Sequence, residues 1–258
     1  MIDWSELTLF IYVYARMSGF VLLNPIFGRS NIPVTYRAAL TLVLSVSVLS
    51  AVMVRHTVAL PVSLLDLAVR IILELVVGFF FGMVMNFFFY IPQFAGTVID
   101  TQMGMTMNQI YDPASQANLS ATGVLLNGMM TMLFFAANGH HTLLRIILTS
   151  GDVVSYGTVA FGADAASKIL QLFIECTIMA VKLMLPILGA ELLGQVGMGV
   201  LMKVIPQINV FAINIELKII IGLGLLLILL SPISEYTLNV EREMLRGLET
   251  ILSSMAAG

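Results

Sequence analysis

His140 and His141 are the first residues to test for chemistry, because imidazole binds metals and moves protons near neutral pH. Neighbouring side chains diverge by about 100° on a helix and point to opposite faces of a strand. The pair therefore cannot hold one ion together without a loop. No HExxH, CxxC or paired-carboxylate spacing accompanies it. Asn138-Gly139 just before it reads more simply as a turn at a helix end. Nucleophile signals are equally thin: there is no GxSxG, and the single cysteine, Cys176, sits in an apolar run with no histidine near it in sequence. No P-loop is present either. The residues point to no catalytic group, no metal site and no cofactor.

Charges inside apolar segments are more informative. A charge at the centre of a spanning helix costs about 2.5–3.5 kcal/mol on insertion scales. Lys168, Glu175 and Lys182 recur every seven residues and so lie close to one helix face, with Gln171 a turn before Glu175. Facing lipid, the three would together cost on the order of 8–10 kcal/mol. They are expected to face protein or water, with Glu216 and Lys218 of the following apolar segment as partners. Glu74, Glu191 and Lys203 join the same set of interhelix or intersubunit polar contacts. A proton or ion pathway is the sharper interpretation of these groups, and a structural polar stripe at a helix or subunit interface the plainer one.

Methionine is abundant, with 17 residues. Met103, Met105 and Met107 alternate with Gly104 and Thr106, and Met129, Met130 and Met132 follow. Thioether side chains are flexible and polarizable and refill irregular gaps. Gap-filling in a membrane core explains the second group. The first group lies in a polar, almost uncharged segment that suits neither lipid nor an ordinary aqueous loop. There, deformable side chains suit a seal that opens for variable cargo.

These residues must be positioned by membrane helices. The chain has 258 residues, 59% apolar and 10% charged, with mean hydropathy +1.00. Soluble domains carry about 25% charged residues. A free soluble globule is excluded, the composition argues against a disordered chain and a nucleic-acid binder, and the net charge of −3 is too small to define a partner. One cysteine implies no disulfide framework. The acidic start, Asp3 and Glu6, does not resemble a cleaved signal. Apolar runs long enough to span occur at about residues 5–24, 37–55, 64–91, 121–137, 164–188 and 208–230, with short pieces at 142–150 and 191–203. Gly78 and Gly82 share a face suited to close helix contact. From Glu235 the tail is an amphipathic helix, with Val240, Met244, Leu248, Ile251 and Met255 on one face. That face fits a membrane surface or a partner helix equally well. The expectation is an all-α integral membrane protein of about six long apolar helices, plus a C-terminal amphipathic helix. Basic residues lie on too many segment ends to define an orientation.

Read together, Gln102-Met103-Gly104, Asp112-Pro113, Asn138-Gly139-His140 and the run from Pro206 to Phe211 resemble the FliR/SctT family of type III export-gate subunits. Arg16, Pro25, Ile32-Pro33 and Arg37 extend the resemblance over essentially the whole length, while Glu216 and Lys203 depart from the family pattern. The resemblance implies a non-enzymatic gate subunit built from bent hairpins. It implies a FliP-like part (residues 1–163), a FliQ-like helical hairpin (164–233) and the amphipathic tail (234–258). It implies FliP, FliQ and FlhB as partners, unfolded flagellar proteins as cargo, and the bacterial inner membrane and flagellar basal body as location. It also implies a luminal plug at about residues 102–116, carrying Gln102, Met103, Gly104, Met105, Met107, Asn108, Tyr111, Asp112 and Pro113. A virulence injectisome subunit of the same family and a stand-alone transporter are the alternatives. The transporter predicts repeat symmetry between halves, which the sequence does not display, and an intramembrane enzyme would have to work through His140 or His141.

Overall fold

The computed structural model describes residues 4–29, 32–52, 60–105, 110–112, 117–159, 163–204 and 210–256. Among these residues the elements are α1 (Trp4–Leu23), α2 (Val34–Val52), α3 (Leu64–Met103), β1 (Ile110–Asp112), β2 (Ala117–Leu119), α4 (Ala121–Ala136), α5 (Gly139–Val153), α6 (Ala163–Val204), α7 (Val210–Ile228) and α8 (Leu230–Ala256). The protein is an all-α membrane protein with one small β-hairpin. Three helices (α1, α3 and the central part of α6) are long and apolar enough to cross a membrane. The number rises to five if the bent pairs α4–α5 and α7–α8 each count as one span.

Several boundaries differ from the sequence reading, each for a local reason. Asn24 ends α1 by accepting the amides of Ile26 and Phe27 on its side-chain oxygen at 2.8 and 3.0 Å. α2 begins three residues earlier than expected, directly after Pro33, whose carbonyl accepts the amide of Tyr36. α3 does not stop before Pro92 but runs on to Met103. Beyond the proline the polar residues stay helical, and Thr97 and Thr101 satisfy their hydroxyls on the carbonyls of Gln93 and Thr97. α6 is one helix of 42 residues with Pro186 inside it, not two pieces. At 1.5 Å per residue α3 and α6 each reach about 60 Å, twice a hydrocarbon core of about 30 Å. α7 breaks at Leu229, with a bend of 63° into the next helix. Pro232 then sits in the first turn of α8, where its missing N–H is no loss.

The chain divides into two compact units. The first comprises Met1–Phe88, Asn138–Ile174 and Arg242–Gly258. In it α1 packs along α2, and α2 touches α5. Gly19 and Gly78 bring α1 and α3 into backbone contact: a Cβ on Gly78 would strike the Arg16 carbonyl, and one on Gly19 the Leu75 carbonyl. Gly82 lies against Leu23 in the same way, so the glycine face of α3 belongs to α1. The amphipathic tail docks within the chain, with Gly247 of α8 against Leu172 of α6 and Phe88 of α3. Val240, Met244, Leu248, Ile251 and Met255 are all buried. The opposite face, with Arg242, Arg246 and Glu249, is exposed.

The second unit comprises Phe89–Ala137 and Glu175–Glu241. Here the C-terminal part of α3 meets α4 at Gly96 and Gly123, whose backbones leave no room for a side chain at Gly96. Asn127 donates to the Phe89 carbonyl at 3.0 Å, and Phe134 packs edge-on to Phe89. On the other side of this unit the Tyr236 hydroxyl of α8 donates to the Met179 carbonyl of α6 at 3.0 Å.

Candidate functional site

The polar segment between α3 and α4 is an excursion that starts and ends on clamped helix termini. Met103 closes α3 with its side chain fully buried at 0% exposure. Gly104 follows at φ 77°, a left-handed conformation that glycine adopts without strain. β1 and β2 pair antiparallel, with Ile110 opposite Leu119, Tyr111 opposite Asn118 and Asp112 opposite Ala117. A two-stranded hairpin is marginal by itself, so the order of this one rests on its roots. There Ser120 caps α4 by accepting the Gly123 amide at 2.9 Å. Asp100 of α3 accepts the Thr122 amide at 3.1 Å, which places a carboxylate at the positive end of α4. The Thr97 hydroxyl reaches Ser120 Oγ at 3.4 Å.

Of the plug residues, Gln102 and Met105 are half-buried beside the buried Met103. Tyr111 and Asp112 belong to β1. Met107, Asn108 and Pro113 lie outside the described residues. Sequence reasoning missed the hairpin, although Ile110-Tyr111 before the turn-forming Asp112-Pro113 carries its signal.

The buried charges fall into distinct settings. Glu74 of α3 is 0% exposed and accepts Arg16 Nε of α1 at 2.7 Å. Its other oxygen accepts the Gly157 amide at 2.7 Å. Arg16 also donates to Ser150 Oγ at 3.3 Å and to the Val154 carbonyl at 3.1 Å. The guanidinium stacks 4.1 Å from the Tyr156 ring centroid. Burial pushes the Tyr156 phenol above its ordinary range, against the pull of Arg16, so the ring stays neutral. An arginine between Ala15 and Met17 in an apolar helix is itself the sequence signal of a buried partner, beyond its place in the family resemblance.

Glu191 of α6 is also buried, at 1% exposure, with the Lys218 charge of α7 acting on it. Lys168, Lys182, Lys203 and Glu216 are exposed, while Glu175 and Lys218 are half-buried. No ion pair is seen among Lys168, Lys182, Glu216 and Lys218 within the described residues. The rings of His140 and His141 lie 4.1 Å apart between centroids, tilted by 45°. No group of metal-ligating side chains forms among the described residues.

Residues 7–244 match the family described as Bacterial export proteins, family 1. The chain belongs to this family. Among its curated members, the chain is similar to the flagellar biosynthetic protein FliR of Bacillus subtilis, with 28% identity over 213 residues and 81% of each chain covered. The Escherichia coli K12 protein of that name is 23% identical over 83% of this chain and 80% of its own. A shorter match, 25% identical over 56% of each chain, is to the Yop proteins translocation protein T of Yersinia pestis. The match to the bacterial export family includes both the Arg16–Glu74 cluster and the excursion between α3 and α4.

Proposed function

We propose that the chain is a non-enzymatic subunit of a type III export gate in the bacterial inner membrane, and that residues 102–116 close its channel. The observation that carries the closure is the excursion itself. A segment with three methionines and one glycine is clamped at both roots, by Met103 burial on one side and by Asp100 and Ser120 on the other. Gly104 lets the backbone turn, Met103, Met105 and Met107 deform around cargo, and Asn108, Gln109 and Tyr111 offer uncharged hydrogen bonds. The longer matches to flagellar relatives than to the Yersinia protein favour a flagellar apparatus with unfolded flagellar proteins as cargo.

In this reading the partners are FliP, FliQ and FlhB. Lys168, Glu175, Lys182, Lys203 and Glu216 on α6 and α7 meet neighbouring subunits instead of lipid. Residues 164–233 act as the FliQ-like hairpin and 1–163 as the FliP-like part. Helices about 60 Å long support an assembly that extends beyond the bilayer. The test is replacement of residues 104–119 by a short Gly-Ser link, with ion leak measured through the assembled complex. Increased leak is expected. Leak equal to that of the wild type would remove the plug assignment.

A further inference from the structure

Gly222 sits, with Gly224, in the apolar run of α7 that follows Lys218, where a helix-interior glycine costs about 1 kcal/mol relative to alanine. Its place is explained by what surrounds it. The three atoms nearest to where a Cβ would stand are Sδ and Cγ of Met103 and, at 2.9 Å, Oε1 of Glu191. Three elements, the end of α3, the middle of α6 and the middle of α7, therefore converge on the missing side chain. Gly224, two residues further along the same helix, is a built-in control: a Cβ there would meet nothing within 4 Å. The wall supplied by Glu191 is itself unusual. The residue is 1% exposed, and no hydrogen-bond donor among the described residues reaches its Oε1.

We propose that Gly222 and Glu191 form the seat that holds Met103, and with it the root of the 104–119 excursion, in the shut position. This rests on the gate reading above and names positioning residues for it. The fit is steric first. The Met103 thioether occupies the volume that any larger residue at 222 would take, and the buried carboxyl group of Glu191 borders the same volume. Of the three alternating methionines, Met103 is the fixed one and Met105 is only half-buried. Opening then begins with withdrawal of one side chain from one socket, directly before Gly104 at φ 77°.

The experiment uses the full chain in the assembled complex, with co-purification as the check on assembly. Gly222→Leu is expected to raise ion leak several-fold, towards the level of the 104–119 replacement, and Gly222→Ala to raise it less. Gly224→Leu is expected to leave it at the wild-type level. In a Cys176→Ser background, the pair Met103→Cys and Gly222→Cys is expected to form a disulfide on addition of a mild oxidant (copper phenanthroline), and that bond is expected to block export until a reductant is added. If the 104–119 replacement leaks but Gly222→Leu assembles and does not, the seat is refuted while the plug stands. If the replacement itself does not leak, the plug assignment falls, and the cysteine pair still reports whether residues 103 and 222 face each other. Where Gly222→Leu fails to assemble, the cysteine pair decides: no cross-link, or a cross-link without effect on export, overturns the proposal.

Discussion

Glu74 and Glu191 are both carboxylates buried in apolar helices, yet their surroundings differ. Glu74 has both oxygens occupied, one by Arg16 and one by the Gly157 amide. Arg16 in turn donates from its two terminal nitrogens to Ser150 Oγ and the Val154 carbonyl. Glu191 faces a thioether and a glycine and has an oxygen that no described donor reaches. A fully satisfied pair ties distant segments together and resists any rearrangement that breaks it, because removal of one partner strands the other charge. A carboxyl with open valence loses little when its neighbour moves away. The first unit is therefore built to stay, and the excursion of the second unit is held by a contact that can be released.

This comparison can be broken or sharpened by substitution, with graded denaturant unfolding in detergent as the measure of stability. The largest effect is expected for Glu74→Ala, a loss of about 3–5 kcal/mol, because Arg16 is left buried without its counter-charge. Gly78→Leu should follow at about 1–3 kcal/mol, since the new side chain meets the backbone of Arg16, which cannot step aside. Ser120→Ala removes the cap of α4 and is expected to lose about 1 kcal/mol, with a looser hairpin seen as faster amide exchange in β1 and β2. Glu191→Gln should change stability by less than about 1 kcal/mol, because no donor among the described residues is lost at Oε1. A loss from Glu191→Gln as large as that from Glu74→Ala would erase the distinction. Arg246→Ala, which removes an exposed pair with Glu243, should stay within about 0.5 kcal/mol.

Much of this molecule was legible in its sequence. Runs of apolar residues set the number and rough position of the helices, since a 3.6-residue period and the absence of charge are local properties. The tail's apolar stripe, the shared glycine face of α3 and the odd polar segment after it could all be read in the same way. Boundaries at prolines could not. Pro92 and Pro186 lie inside long continuous helices, although a proline inside an apolar run reads locally as a helix end.

By itself, then, the sequence determined that this is a helical membrane chain with a methionine-bearing segment and a few charges that need company. Tertiary structure alone decided which company. Arg16 finds Glu74 across 58 positions, the tail turns its apolar face onto α3 and α6, and Met103 drops into the gap left by Gly222. Each of those choices depends on which helix faces lie together, and no local periodicity encodes that, because a stripe reports only that it is buried and not against what.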